Sequence, residues 1–120
     1  MNVLITSAAS ATAQIIAKTL AQTHTLRLTD LPANASGDIT ANELGHEAET
    51  DDLLAGIDAV VNIGYQGQSG SNTHLMDYQT RCMYNLLQAA SDAGVARCVN
   101  ISTLRLYENH EENLVVTEKW

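Results

Sequence analysis

A run of small residues, Thr6-Ser7-Ala8-Ala9-Ser10-Ala11-Thr12-Ala13, joins a short apolar stretch to a segment with helical spacing. At such a joint the backbone N–H groups and the positive end of a helix converge, which is what a phosphate group needs. Ser7, Ser10, Ala11 and Thr12 are the candidate contacts. A phosphate-binding joint of this kind normally carries glycine at the places held here by Ser7, Ser10 and Ala13. Ala13 only has to be small, so that helix and strand can approach. Ser7 and Ser10 matter more, because a left-handed backbone costs roughly 1 kcal/mol there and a side chain stands near the ligand. A hydroxyl can also donate to phosphate. The expectation is a weakened anion site, with a plain strand-to-helix turn as the bland alternative.

A second candidate group is Asp30, with Leu31 beside it, at the end of the alternating run Thr25-Leu26-Arg27-Leu28-Thr29-Asp30. A carboxylate there can accept both hydroxyls of an adenosine ribose and repels a 2′-phosphate, which favours NAD over NADP. Arg27 lies inside the run and is poorly placed to neutralise a phosphate. A surface aspartate before the turn at Pro32 is the alternative. The four histidines are scattered, and Cys82 and Cys98 belong to no Cys-x-x-Cys or Cys/His set, so no metal site is indicated. Both cysteines sit in apolar patterns and read as buried, reduced thiols.

The elements that must position these groups alternate between strand-length apolar runs and helical spacing, the pattern of βαβ units stacked into a parallel sheet. Val3 to Thr6 is the first strand. Ala11 to Gln22 is a helix with Ile15, Ile16, Thr19 and Leu20 on one face. Thr25 to Asp30 is the second strand, with a weak third somewhere between Ile39 and Leu44. A short helix follows near Thr50 to Leu54, and Ala59 to Ile63 is the fourth strand, apolar enough to be buried on both faces. The glycine- and serine-rich stretch from Gly64 to Ser71 reads as a ligand-facing loop. Asn72 to Ala93 is a long helix with Leu75, Cys82, Met83, Leu86, Leu87 and Ala90 as its stripe, ended by Gly94 as a C′ glycine. Ala96 to Ser102 is the fifth strand. Glu108 to Trp120 is acidic and aperiodic. The sheet is therefore expected to be a Rossmann-like, doubly wound α/β sheet in the order 3-2-1-4-5, truncated before a sixth strand. In such a sheet the ligand crevice lies at the carboxyl ends of the strands, between the first and the fourth.

The bulk numbers agree with one folded domain spanning residues 1–120: 45% hydrophobic, 17% charged, a single proline. A net charge of -8, from six basic and fourteen acidic residues, disfavours nucleic acid and anionic lipid as partners. No stretch has the length of a membrane span, and the start lacks the pattern of a signal peptide, so a cytoplasmic location is expected.

These residues resemble the amino-terminal part of the extended short-chain dehydrogenases, the NAD-dependent epimerase/dehydratase group. Met1 to Ala13 is similar to their opening strand and glycine loop with the glycines replaced. Leu53-Leu54-Ala55-Gly56-Ile57-Asp58-Ala59-Val60-Val61-Asn62 resembles their approach to the fourth strand. Asn85-Leu86-Leu87-Gln88-Ala89-Ala90 with Gly94-Val95 resembles their long fourth helix, and Val99-Asn100-Ile101-Ser102-Thr103-Leu104-Arg105-Leu106-Tyr107 their fifth strand. The resemblance implies that Thr103 contacts the reacting hydroxyl, that Glu43 and Leu44 touch the adenine, and that Ile63, Gly64 and Tyr65 pass under the cofactor. Glu43 replaces a usual Asp, and Tyr65 replaces a usual small residue and crowds the nicotinamide side.

The family's Tyr-x-x-x-Lys pair, whose tyrosine is the general acid/base, is absent. Four residues after Tyr65, Tyr78, Tyr84 and Tyr107 come Ser69, Cys82, Gln88 and Glu111. The resemblance therefore implies an NAD-binding domain, incomplete relative to the family and not catalytic as an isolated chain. The alternative is an interaction or sensor module that has lost dinucleotide binding. An intact small enzyme would need Tyr65, Tyr78 or Tyr107 to act without a lysine. A sheet edge left at the fifth strand calls for a homodimer or a partner chain.

Overall fold

The computed structural model describes residues 1–46, 48–64, 71–102 and 117. Five strands, β1 (Asn2–Ile5), β2 (Thr25–Asp30), β3 (Ile39–Ala41), β4 (Ala59–Ile63) and β5 (Arg97–Ile101), form one sheet in the order β3-β2-β1-β4-β5. Every pairing is parallel. Val3 lies between Leu26 and Ala59, and Ile5 between Leu28 and Val61. The order reverses on either side of β1, so the carboxyl ends of β1 and β4 border the crevice that this topology creates.

Period-two alternation sends β1 side chains to two separate cores. Leu4 and Val60 pack with Leu53, Leu54, Leu86 and Ala90 under helices α2 (Ala48–Leu54) and α4 (Met83–Asp92). Val3, Ile5, Val61 and Ile63 pack on the other face under α1 (Ala11–Leu20). This is the doubly wound Rossmann-like arrangement expected from the sequence.

Helix α1 meets the sheet along Ala13 and Ala17, so the face that carries Ile15, Ile16, Thr19 and Leu20 is only partly covered. Ala13 and Ala17 are buried, while Ile15 is 70% exposed and Thr19 is exposed, its hydroxyl donating to the Ile15 carbonyl. The tight joint after β1 brings the helix axis so close to the sheet that only methyl-sized side chains fit in between. Ile16 and Leu20 flank this contact, partly buried. Helix α2 begins at Ala48, two residues before Thr50. Thr50 is buried and its hydroxyl donates back to the Gly45 carbonyl, 2.9 Å away. The Arg27 guanidinium closes the other end of α2 by donating to the carbonyls of Leu53 (2.6 Å) and Ala55 (3.0 Å). A cation is favourable at that end of a helix, and the arginine is thereby committed far from any phosphate.

The long helix between β4 and β5 is interrupted. Helix α3 (Asn72–Asp77) runs into a π-helical turn at Tyr78–Cys82 before α4. That turn buries Tyr78 and Cys82 together. Gly94 ends α4 in the left-handed region at φ +73°. Its N–H donates to Ser91 and the next N–H, of Val95, to Ala90, the bonding of a Schellman cap. Strand β5 is the least covered: its first four residues are exposed, Cys98 among them. Cys82 is buried as expected and Cys98 is not, because among the described residues no helix packs over this strand.

Candidate functional site

The chain leaves β1 through Thr6 and turns at Ser7, whose φ of +47° lies in the left-handed region. Ser7 stands where a glycine is normally placed, and the turn that glycine makes is kept without it. The Ala8 N–H donates to the Thr29 carbonyl (3.0 Å) and the Ser10 N–H to the Ser7 carbonyl (2.9 Å). Ser10 is then the N-cap of α1, its hydroxyl accepting from the Ala13 N–H at 3.2 Å. Ala11 and Thr12 form the first turn. That turn contains no acidic residue of its own, and Lys18 sits in the last, an arrangement that leaves the start of the helix open to an anion.

Asp30 is the second half of the site, and it is more enclosed than a surface carboxylate. It is 2% exposed. One carboxylate oxygen accepts from the Ala9 N–H at 2.9 Å; the other accepts from the Leu31 N–H at 2.7 Å and from the Asn34 amide at 3.1 Å. The loop after β1 is thus stapled to the end of β2 by a charge. A carboxylate has about four acceptor sites, so three bonds leave room for one further donor.

Beyond β2 and β3, Asn42 organises the next loop. Its side-chain oxygen accepts from the Leu44 N–H at 2.6 Å, and its amide donates to the Glu49 carbonyl at 3.2 Å. Leu44 has φ +53° and its side chain is buried in the core with Leu4 and Leu86. Glu43 is exposed. Pro32, Ala41, Asn42, Glu43 and Gly45 border a cavity of about 240 Å³ at this end of the strands. Pockets for drug-sized ligands start near 300 Å³, so this one suits a single ring system.

Between β1 and β4 the crevice floor is a hydroxyl and amide network. Thr6 Oγ1 accepts from the Ile63 N–H (2.8 Å) and reaches the Asn62 side-chain oxygen (2.9 Å). The Asn62 amide donates in turn to Asn100 Oδ1 on β5 at 2.8 Å. The Ser7 hydroxyl donates to the Ile63 carbonyl at 2.9 Å. Gly64 lies at the edge of the crevice: among the described residues a Cβ there would meet nothing nearer than Gln79, 4.0 Å away.

Tyr78 closes the site from the helix side. It is buried, and burial is the main force pushing its phenol up to about 12; the Ser7 hydroxyl beside it works against the rise and the Asp30 charge adds to it. Tyr78 therefore stays a neutral phenol at physiological pH and is a poor general base. The sign of the pH effect follows. An unfolded tyrosine loses its proton near pH 10, the folded one near 12, so stability present below pH 10 is lost as the pH rises to 12. The loss is on the order of 2–3 kcal/mol. Urea unfolding at pH 9 and pH 12 should show that extra loss in the wild-type chain and not in Tyr78→Phe.

The structure thus brings together Ser7, Ser10, Ala11, Thr12 and Asp30 at one crevice with Ile63 and Gly64, and sets Glu43 at the neighbouring cavity. Leu31 and Leu44 turn their side chains into the core. Thr103 and Tyr65 lie outside the described residues. Sequence reasoning missed Asn34 and the pair Asn62 and Asn100. A signal for the last two was present: each is a lone amide one residue before the end of an apolar strand. No group of three or more His, Cys, Asp or Glu among the described residues could hold a metal ion.

A family model described as "NAD dependent epimerase/dehydratase family" matches residues 3–119. Among solved structures, the chain is 29% identical to a short-chain dehydrogenase/reductase superfamily protein from Agrobacterium tumefaciens with bound NAD, at a TM-score of 0.77, covering 98% of this chain and 38% of that one. It is 26% identical to uronate dehydrogenase from the same organism, TM-score 0.69, over 85% of this chain and 40% of that one. UDP-N-acetylglucosamine 4-epimerase from Bacillus cereus shares the fold at 20% identity, TM-score 0.75, over 100% of this chain and 41% of that one. The chain spans about two fifths of the length of these structures. No curated protein matches.

Proposed function

The chain belongs to the NAD dependent epimerase/dehydratase family, and from that premise we propose that residues 1–120 are its dinucleotide-binding unit, holding NAD in the crevice between β1 and β4. In this reading the pyrophosphate lies on Ser7, Ser10, Ala11 and Thr12 at the start of α1. Asp30, with Leu31, takes one hydroxyl of the adenosine ribose through its remaining acceptor site and turns away a 2′-phosphate. Glu43 and the backbone of Leu44 border the adenine, and Ile63, Gly64 and Tyr65 pass beneath the nicotinamide half. Bound NAD would supply a hydride acceptor, and Thr103 would hold the hydroxyl of the substrate being oxidised.

The observation that carries this reading is the φ of +47° at Ser7. A residue with a side chain accepts a costly backbone conformation there, and the loop it forms is fixed to a buried carboxylate through the Ala9 N–H. A mere connector between strand and helix has no need of either. Because residues 1–120 carry no Tyr-x-x-x-Lys pair, the unit binds the cofactor and is not catalytic by itself. It works in the cytoplasm and is completed by a second copy or a partner chain along β5, where Cys98 and Val99 are exposed. No helix among the described residues is long and apolar enough to cross a membrane.

A second reading has one observation in its favour. The three donors already on Asp30 satisfy most of this buried carboxylate from within the chain, as expected of an interaction module that no longer binds a dinucleotide. A thermal shift separates the two. NAD at one hundred times its Kd stabilises the native state by about 2.7 kcal/mol, which for a domain of this size is on the order of 10 °C. No shift at millimolar NAD or NADH would favour the interaction module.

A further inference from the structure

Helices α2 and α4 pack side by side on one face of the sheet, and the groove between them holds a cavity of about 210 Å³. Gly45 and Thr50 border both this cavity and the one beside Glu43. The residues at the crevice between β1 and β4 do not border it.

Asn85 of α4 lies in its wall and is 7% exposed. The Asn85 amide nitrogen donates to the Leu44 carbonyl at 3.2 Å, while the side-chain oxygen has no hydrogen-bond partner among the described residues. A buried amide oxygen left without a donor is costly. At this place the donor has to come from inside the cavity.

The other polar groups of the walls are acceptors too, or are already engaged. Asp51 and Asp92 bring two carboxylates. The Gln88 amide nitrogen is held by Asp92, 3.2 and 3.3 Å from its two oxygens, and the Gly45 carbonyl accepts from the Thr50 hydroxyl. No Lys or Arg among the described residues borders the cavity: Arg81 is paired with Asp77, and Arg27 with the end of α2. Nor do the described residues gather the ligands of a metal ion. The group that fits is therefore an organic cation that only donates. A guanidinium has five N–H donors in one plane and no acceptor. Ala48 and Ala89 add an apolar wall, along which an alkyl stem can lie while the charged head stays with the carboxylates. The cavity is smaller than the range for drug-sized ligands, so the stem is short.

We propose that the groove between α2 and α4 is a binding site for an alkylguanidinium group, its head shared by Asn85 Oδ1 and the carboxylates of Asp51 and Asp92 and its stem lying on Ala48 and Ala89. The site does not depend on the dinucleotide reading.

The test titrates n-butylguanidinium into the full chain and follows the backbone amides by NMR. Shifts should gather at Asp51, Asn85, Gln88 and Ala89 and saturate in the millimolar range, whereas the neutral isostere n-butylurea leaves those amides still. Asp51 and Asp92 are both exposed, so the double variant Asp51→Asn/Asp92→Asn keeps the core; it should weaken binding about fivefold or more, each exposed charge pair being worth a few-fold. Asp38→Asn removes the same charge from the exposed turn before β3 and should change the affinity less than about twofold, because distant exposed charges are screened. A capped Gly-Arg-Gly peptide tells the two sources of a guanidinium apart: binding weaker than that of n-butylguanidinium assigns the site to a free small molecule, and equal binding assigns it to an arginine of a partner chain. No shifts at tens of millimolar, equal shifts with n-butylurea, or an affinity untouched by the double variant would overturn the site and leave the dinucleotide reading intact.

Discussion

Replacing Asp30 with asparagine should lower the unfolding free energy by about 2–3 kcal/mol and weaken NAD binding at least tenfold. The carboxylate accepts from Ala9, Leu31 and Asn34 through both of its oxygens. An asparagine presents an acceptor on one side and an NH₂ on the other. Either the Ala9 N–H or the Leu31 N–H then faces a donor, and a buried donor left unpaired costs about 1–3 kcal/mol. The remaining bonds also lose their charge assistance, worth about 1 kcal/mol more. Removing a buried charge offsets a part of this. Affinity falls because the loop that Ala9 belongs to is no longer fixed before the ligand arrives. Urea unfolding measures the first effect and calorimetry with NAD the second. A change below about 0.5 kcal/mol, typical of surface substitutions, would mean that the staple between β2 and the loop contributes nothing.

Thr6→Val should be comparably costly, at about 3 kcal/mol, although it changes neither size nor shape. Thr6 is fully buried. Its hydroxyl is the acceptor for the Ile63 N–H at 2.8 Å and lies 2.9 Å from the Asn62 side-chain oxygen. A methyl group in its place orphans one donor at the end of β4 and strips a partner from Asn62, at a fully buried position. The loss should extend to Asn100, whose side-chain oxygen accepts from the Asn62 amide. Thr6→Ser keeps the hydroxyl and should recover most of the stability, losing about one buried methyl, near 1 kcal/mol. Urea midpoints of the two variants side by side decide the matter: equal losses would assign the effect to packing instead of to the hydroxyl.

What could be read from the sequence divides along physical lines. The strands and their order were legible because buried parallel strands are continuous apolar runs, as at Ala59–Ile63, and because Gly94 ends the last helix where a left-handed residue is required. The face of α1 was not legible. Hydrophobicity points to Ile15, yet the close approach set by the turn at Ser7 selects Ala13 and Ala17. The π-helical turn at Tyr78 was also invisible, since its residues carry the same 3.6-residue pattern as a regular helix. Asp30 could be located from its place at the end of an alternating strand. Its three donors could not, because two of them, the N–H groups of Ala9 and Leu31, are backbone groups that any residue type would supply. The loop at Ser7 gives the sharpest lesson. Its composition announced a defect, while the Ser7 hydroxyl is taken up by the Ile63 carbonyl, which only the fold brings near.

The central claim is that NAD lies in the crevice between β1 and β4, and backbone amide resonances of the 120-residue chain test it residue by residue. On titration with NAD the largest shifts should fall on Thr6 to Ala13, on Asp30 to Asn34, on Asn42 to Gly45 and on Ile63 and Gly64, while the amides of Lys18 to Gln22, at the far end of α1, stay still. Shifts gathered at any other face of the sheet, or an unchanged spectrum at millimolar NAD, would contradict it.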